Sequence, residues 1–206
     1  MADRTPRSNA AMRTADLLAQ FESLWVAQGA PIAAALAPGL GDDEIDALIE
    51  PTGLSLPPEA RELFRWHDGA VRRPGPDDGS RLWGFGQWEF FPLAELVDYR
   101  QGMWMDTQEE MSDDADEPSP WKDSWFPLLR GSGWADVLID CGEAHEVALV
   151  RGTAPFEPRR PRLSSLPNML EIWLTFFQDG RIRWDTSSQA WTRDFDFDEY
   201  KAALGD

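Results

Sequence analysis

The side chains best suited to chemistry in this sequence are few. Cys141 is its single cysteine, and His67 and His145 are its two histidines. Asp140, Cys141 and His145 lie close together in the chain, and those are the types that build a thiol nucleophile with an oriented base. Such a thiol needs a helix N-terminus or a neighbouring cation to lower its pKa, and the sequence supplies neither beside Cys141. A single cysteine after an apolar run reads instead as a small buried hydrophobe, and Asp140 as a strand-end carboxylate accepting turn N–H groups. His67 and Asp68 form a second acid–base pair on paper. At a helix end, the dipole and the last carbonyls account for a histidine without chemistry.

Bound groups fare no better. One cysteine and two histidines cannot furnish a tetrahedral Cys/His zinc set. Gly84-Phe85-Gly86 is too short and too aromatic to cradle phosphate, and no glycine-rich loop with a following Lys and Ser/Thr exists in the sequence. The stretch Asp106 to Pro120 holds seven acidic residues and no basic one, but without the Asp, Asn and Gly spacing of a calcium loop. It reads as a solvated charge run. The expectation is therefore no catalytic residue, no metal and no cofactor.

Charge narrows the partners. Lys plus Arg total 19 against 37 Asp plus Glu, a formal net charge of −18. That balance disfavours nucleic acid and anionic membrane surfaces and suits a basic protein. Within the acidic run, Asp113, Asp114, Asp116 and Glu117 are the candidate partner-binding residues. Eleven tryptophans and eleven phenylalanines are more than a disordered chain carries, and most of these rings belong in a core. The start lacks the apolar stretch of a secretory signal, so the expected location is the cytoplasm.

The elements that must position these groups follow from periodicity. Residues 1–11 read as a frayed leader. Leu17, Phe21, Leu24 and Trp25 then recur at helical spacing, stopped near Gly29 and Pro31. A short helix follows, capped by Asp42 or Asp43, carrying Ile45, Leu48 and Ile49 and ended by Pro51. The clearest helix has Pro57 in its first turn, Leu63, Phe64 and Trp66 inward, and Gly69 closing it in a left-handed conformation. Leu82 to Phe91 reads as extended, and Pro92 opens another helix with Leu93, Leu96 and Val97 buried. Trp125–Leu129, Ala135–Asp140 and Glu146–Arg151 read as an antiparallel meander turning at Gly131 to Gly133 and at Gly142. Ser165 caps a last large helix with Leu166, Leu170, Trp173, Leu174 and Phe177 inward, ended by Gly180. Arg181–Trp184 reads as one more short strand, and Phe195–Leu204 as a terminal helix capped by Asp194. The fold expected is α+β: a mixed, mostly antiparallel sheet of about five or six strands packed by helices. It is a single domain over residues 12–206, with an acidic insertion near 106–120.

Three stretches in this order resemble the SUKH superfamily of cell-wall assembly regulators and bacterial immunity proteins. Gly53 to Gly69 resembles its proline-led helix ending in a polar residue and glycine. Trp125-Phe126-Pro127-Leu128-Leu129, followed after a glycine turn by Asp136 to Asp140, is similar to its central hairpin, in which an apolar strand ends in an aspartate. Leu163 to Leu166 leading into Leu170–Leu174 is similar to its late helix. The resemblance spans about residues 40–180 and assigns structural roles to Pro57, Trp66, Gly69, Trp125 and Asp140. His67-Asp68-Gly69 stands where an asparagine and glycine are frequent, and the N-terminal helix is an addition. The resemblance implies a non-enzymatic protein-binding module: an immunity protein that neutralises a cognate, cationic, nucleic-acid-directed toxin. A regulatory scaffold in cell-wall or signalling assemblies is the alternative, and an uncharacterised hydrolase using His67 or Cys141 the second.

Overall fold

A computed structural model describes residues 9–71, 82–85, 88–111, 122–131, 135–142, 145–151, 162–163 and 165–195. Helix α1 (Asn9–Gln28) begins five residues before the apolar pattern at Thr14, so residues 9–11 of the expected leader are helical. Its inward residues Leu17, Leu18, Phe21 and Trp25 are fully or nearly buried. A one-turn helix α2 (Ile32–Ala35) follows, in a stretch that reads as loop, because Pro31 and the buried Ile32 fold the chain back against α1. Helix α3 (Asp42–Ile49) buries Ile45 and Ile49. Its cap is Gly41, whose N–H donates to the Glu44 carboxylate at 2.7 Å, rather than Asp42 or Asp43. A 3₁₀ turn (Glu50–Thr52) leads on to α4 (Pro58–Trp66). Pro57 sits just before α4 with extended ψ, and Pro58 takes the first helical position where a missing N–H costs nothing.

Three full-length strands, β2 (Trp125–Gly131), β3 (Ala135–Asp140) and β4 (Val147–Arg151), form the antiparallel meander read from the sequence. Two-residue strands β1 (Trp88–Glu89) and β5 (Arg162–Leu163) flank them, in the order β1-β2-β3-β4-β5. The expected mixed sheet is corrected in two respects. Every pairing here is antiparallel, and the strand near residue 182 lies outside this sheet. That strand, β6 (Ile182–Asp185), pairs with β7 (Ala190–Arg193) as a separate ribbon. Its turn closes on Asp185, whose carboxylate accepts from the Ser187 hydroxyl and N–H and from the Ser188 hydroxyl, which holds its pKa near 2. Within β2, Pro127 lacks a ladder donor, and the register to β3 slips at Leu128 so that Leu129 meets Val137.

Helix α5 (Leu93–Met111) runs through the first part of the acidic stretch, which the charge pattern alone had assigned to loop. Asp113, Asp114, Asp116 and Glu117 lie outside the described residues, as does the expected terminal helix beyond Phe195. Helix α6 (Leu166–Gln178) starts as read, with the Ser165 hydroxyl accepting from Asn168 N–H. A single core joins α1, α3, α4, α6 and the inner face of the sheet through Phe126, Leu129, Val137 and Ile139. Its centre is aromatic: Phe21 meets Phe85 and Phe177 edge-on, and Trp88 stacks on Trp173. Each such ring contributes about 1.5–3 kcal/mol by burial alone. None of the helices among the described residues is long and apolar enough to cross a membrane.

Candidate functional site

The segment from Trp66 to Gly69 is a junction rather than a simple helix cap. Helix α4 ends at Trp66, and His67 is already extended with φ −152°. The Trp66 indole donates to Glu22 on α1 at 3.1 Å. His67 Nδ1 lies 2.6 Å from the Ala37 carbonyl, and its Nε2 lies 3.6 Å from Glu22. Asp68 turns the other way and accepts from Leu93 N–H at 2.7 Å, satisfying an orphan donor at the start of α5. His67 and Asp68 therefore serve different neighbours and do not form an acid–base pair. Gly69 has φ +73°, and a Cβ there would stand 2.3 Å from Pro92 N. Glycine is required, but by the close crossing of Phe91-Pro92 as much as by a left-handed turn, and it sits beyond the cap position the sequence reading gave it.

The other residues weighed for chemistry are also committed. Asp140 accepts from Gly142 N–H at 2.9 Å and from Lys122 Nζ at 3.1 Å. Burial pulls its pKa up, but the hydrogen bonds from Ser124, Gly142 and Lys122 together outweigh that and hold it below the usual carboxylate range. Burial, reinforced by Asp140, pushes the Cys141 thiol up to about 12, the wrong direction for a nucleophile. His145 points its Nδ1 toward the buried Glu59 on α4, 3.9 Å away. Trp125 is buried at the start of β2, outside the main core, with Lys122 Nζ 5.5 Å from the ring centre. Among the described residues no group of three His, Cys, Asp or Glu could hold a metal ion.

Three polar constellations escaped the sequence reading. On the α3–α4 face, Arg61 bonds Asp46 at 2.6 Å and Asp42 at 3.2 Å, while Arg65 pairs with Asp42 and with the buried Glu62. The signal was available: two acids and two arginines, each at i,i+4, on helices joined by a short turn. At the sheet, the Tyr99 hydroxyl donates to Asp136 at 2.7 Å, and the Arg130 guanidinium lies 3.8 Å from the Tyr99 ring centre and 5.1 Å from that of Phe91. Burial raises the Asp136 pKa despite the Tyr99 bond and nearby Arg130.

The third constellation is Arg100 on α5. Its Nε donates to the Trp125 carbonyl at 2.9 Å and its Nη2 to the Asp123 carbonyl at 2.5 Å. It lines an open groove of about 570 Å³ with Pro51, Thr52, Gly53, Leu54, Val97, Gln101 and Asp123. The sequence signal was a cation at i+7 on the stripe begun by the buried Leu93 and Leu96.

Compared with known families, residues 39–171 match the model of the SMI1 / KNR4 family (SUKH-1). The match spans α3 and α4, the Trp66–Gly69 junction, α5, the whole five-stranded sheet and the first half of α6. No curated protein matches the chain.

Proposed function

The chain belongs to the SMI1/KNR4 family (SUKH-1), and from that premise we propose that it is a non-enzymatic protein-binding module that neutralises a cognate toxin. Family membership is the observation that carries the reading. The disposition of polar groups supports it: His67, Asp68, Asp140 and Cys141 each serve the fold, and the thiol is held protonated. The net charge of −18 favours a basic partner, as a toxin acting on nucleic acid must present cationic groups to phosphate. Carboxylates such as Asp113, Asp114, Asp116 and Glu117 then speed encounter, while aromatic anchors hold the complex. In this reading the protein works in the cytoplasm of the cell it protects.

The test is co-production with the protein encoded next to this chain. Relief of that protein's toxicity, together with a complex surviving size-exclusion chromatography, is expected. Stopped-flow association of the pair should slow steeply as salt rises to physiological strength, where the screening length is about 8 Å. Neutralising the four carboxylates should reproduce the slowing at low salt. Toxicity unrelieved, with no complex at micromolar concentration, overturns the proposal; a salt-independent on-rate removes its electrostatic part.

A further inference from the structure

Arg100 is an anomaly in a protein with so large an acidic excess. It is 9 % exposed, yet it forms no ion pair with a carboxylate among the described residues, while Arg61, Arg65 and Arg13 all do. Its two bonded nitrogens donate to neutral backbone carbonyls. Of the groups whose charge bears on it, the Cys141 thiol, held up to about 12, is uncharged at neutral pH, and the Asp123 carboxylate offsets only part of the desolvation. Among the described residues Nη1 makes no hydrogen bond, and it is not one of the sealed, unsatisfied nitrogens found there, which are those of Trp25, Arg130 and Trp191. It is thus the arm of the guanidinium that solvent reaches, and Arg100 lines the groove between the 3₁₀ turn and α5. A desolvated cation whose counter-charge is only partial gains from a ligand that brings one into direct hydrogen-bond contact.

We propose that this groove is a receptor for a single carboxylate carried on a peptide segment of a protein partner, with Arg100 as the charged donor and the Gln101 carboxamide as a second. Three observations fix that chemistry. The volume lies in the range of built ligand sites, about 300–1,000 Å³, and Pro51, Leu54 and Val97 give it apolar walls beside the charged point. One free guanidinium arm with Asp123 on the rim matches a monoanion and disfavours a phosphate dianion. The overall charge of −18 repels free anions but not a carboxylate borne on a basic protein. The site does not depend on the toxin reading and is testable on this chain alone.

The experiment is NMR titration of the full chain, following the Arg100 Nε–H and the Gly53 and Leu54 amide signals. Four probes are used: a lysine-containing tetrapeptide with a free C-terminal carboxylate, its C-terminal amide, the same amide with an internal glutamate, and inorganic phosphate. Saturable shifts with the acid, the internal glutamate or both are expected, and which one binds identifies the source of the carboxylate. The plain amide should bind at least about tenfold more weakly, although it is the more cationic peptide. Gln101→Glu, at an exposed position that leaves the Arg100 anchors in place, should weaken carboxylate binding by a similar factor. Arg100→Gln should abolish it, with folding checked by the unchanged spectrum elsewhere. Equal binding of the plain amide, phosphate acting at lower concentration than either carboxylate peptide, no saturable shift, or indifference to Gln101→Glu would each overturn the proposal. A toxin complex that forms while these peptides leave the groove untouched refutes the groove and spares the toxin reading; peptide binding with no toxin complex does the reverse.

Discussion

Asp42 and Asp136 both face arginine, and the protein treats them in opposite ways. Asp42 stands at the exposed start of α3, with its side chain 56 % accessible and two guanidinium groups upon it. Burial is the largest single influence and raises its pKa, but the bonds and charges of Arg65 and Arg61 together outweigh it, and the carboxyl is held below its ordinary value. Asp136 is buried on β3, with Arg130 Nε 4.0 Å away and the Tyr99 hydroxyl its direct partner. There desolvation dominates, and the pKa is raised. An arginine nearby is therefore no guide to a carboxylate's state; the water it has lost decides.

The largest expected effect comes from removing the buried member. Asp136→Ala leaves the Tyr99 hydroxyl without its acceptor and the Arg130 guanidinium without the carboxylate 4.0 Å away, and should cost about 2–3 kcal/mol in urea unfolding. Asp136→Asn keeps an acceptor for Tyr99 and removes the desolvated charge, so at neutral pH it should be far milder than the alanine variant. If the two are equally destabilising, the charge on Asp136 is a net asset and the contrast with Asp42 fails.

The pH dependence sharpens the same contrast through its sign. With the folded pKa of Asp136 raised, its contribution is fully present below the unfolded value of about 3.9 and is lost as pH rises through the folded value. With that of Asp42 lowered, its contribution is present above about 3.9 and is lost as pH falls through the folded value. Unfolding curves between pH 2.5 and 7 should therefore show Asp136→Asn flattening the neutral limb and Asp42→Asn flattening the acid limb. An exchange of those limbs would contradict both assignments.

Smaller still is Asp42→Ala at neutral pH, about 1 kcal/mol or less, because its ion pairs lie at the surface. The smallest effect is that of salt. Molar sodium chloride should erase most of the Asp42→Ala difference in thermal melts and leave the Asp136→Ala difference nearly intact, since buried charges are poorly screened.

Local pattern made much of this molecule legible. Strong periodicity marked α1, α4 and α6, and apolar runs between glycine turns marked β2, β3 and β4, because their buried faces repeat at the helix and strand periods. Ser165 before Pro167 announced the start of α6 through cap chemistry alone. Misreadings arose where distant chain intervened. Two-residue β5 exists only because β4 offers an edge, whereas β1 falls within the stretch read as extended. Helix α5 continues into residues whose charge pattern suits a loop, on a start that Asp68 caps from across the fold.

The sequence by itself determined the helices and strands that carry their own periodic faces, and the acidic balance. Tertiary structure alone decided how each charged group behaves. Arg61, Arg65, Arg100 and Arg130 are one residue type, yet they become two surface ion-pair partners, a cation held by neutral carbonyls beside a groove, and a ring-stacked cation at the sheet. The reason is physical: an ionised group's energy depends on the water and dipoles around it, and those are set by residues far away in the chain.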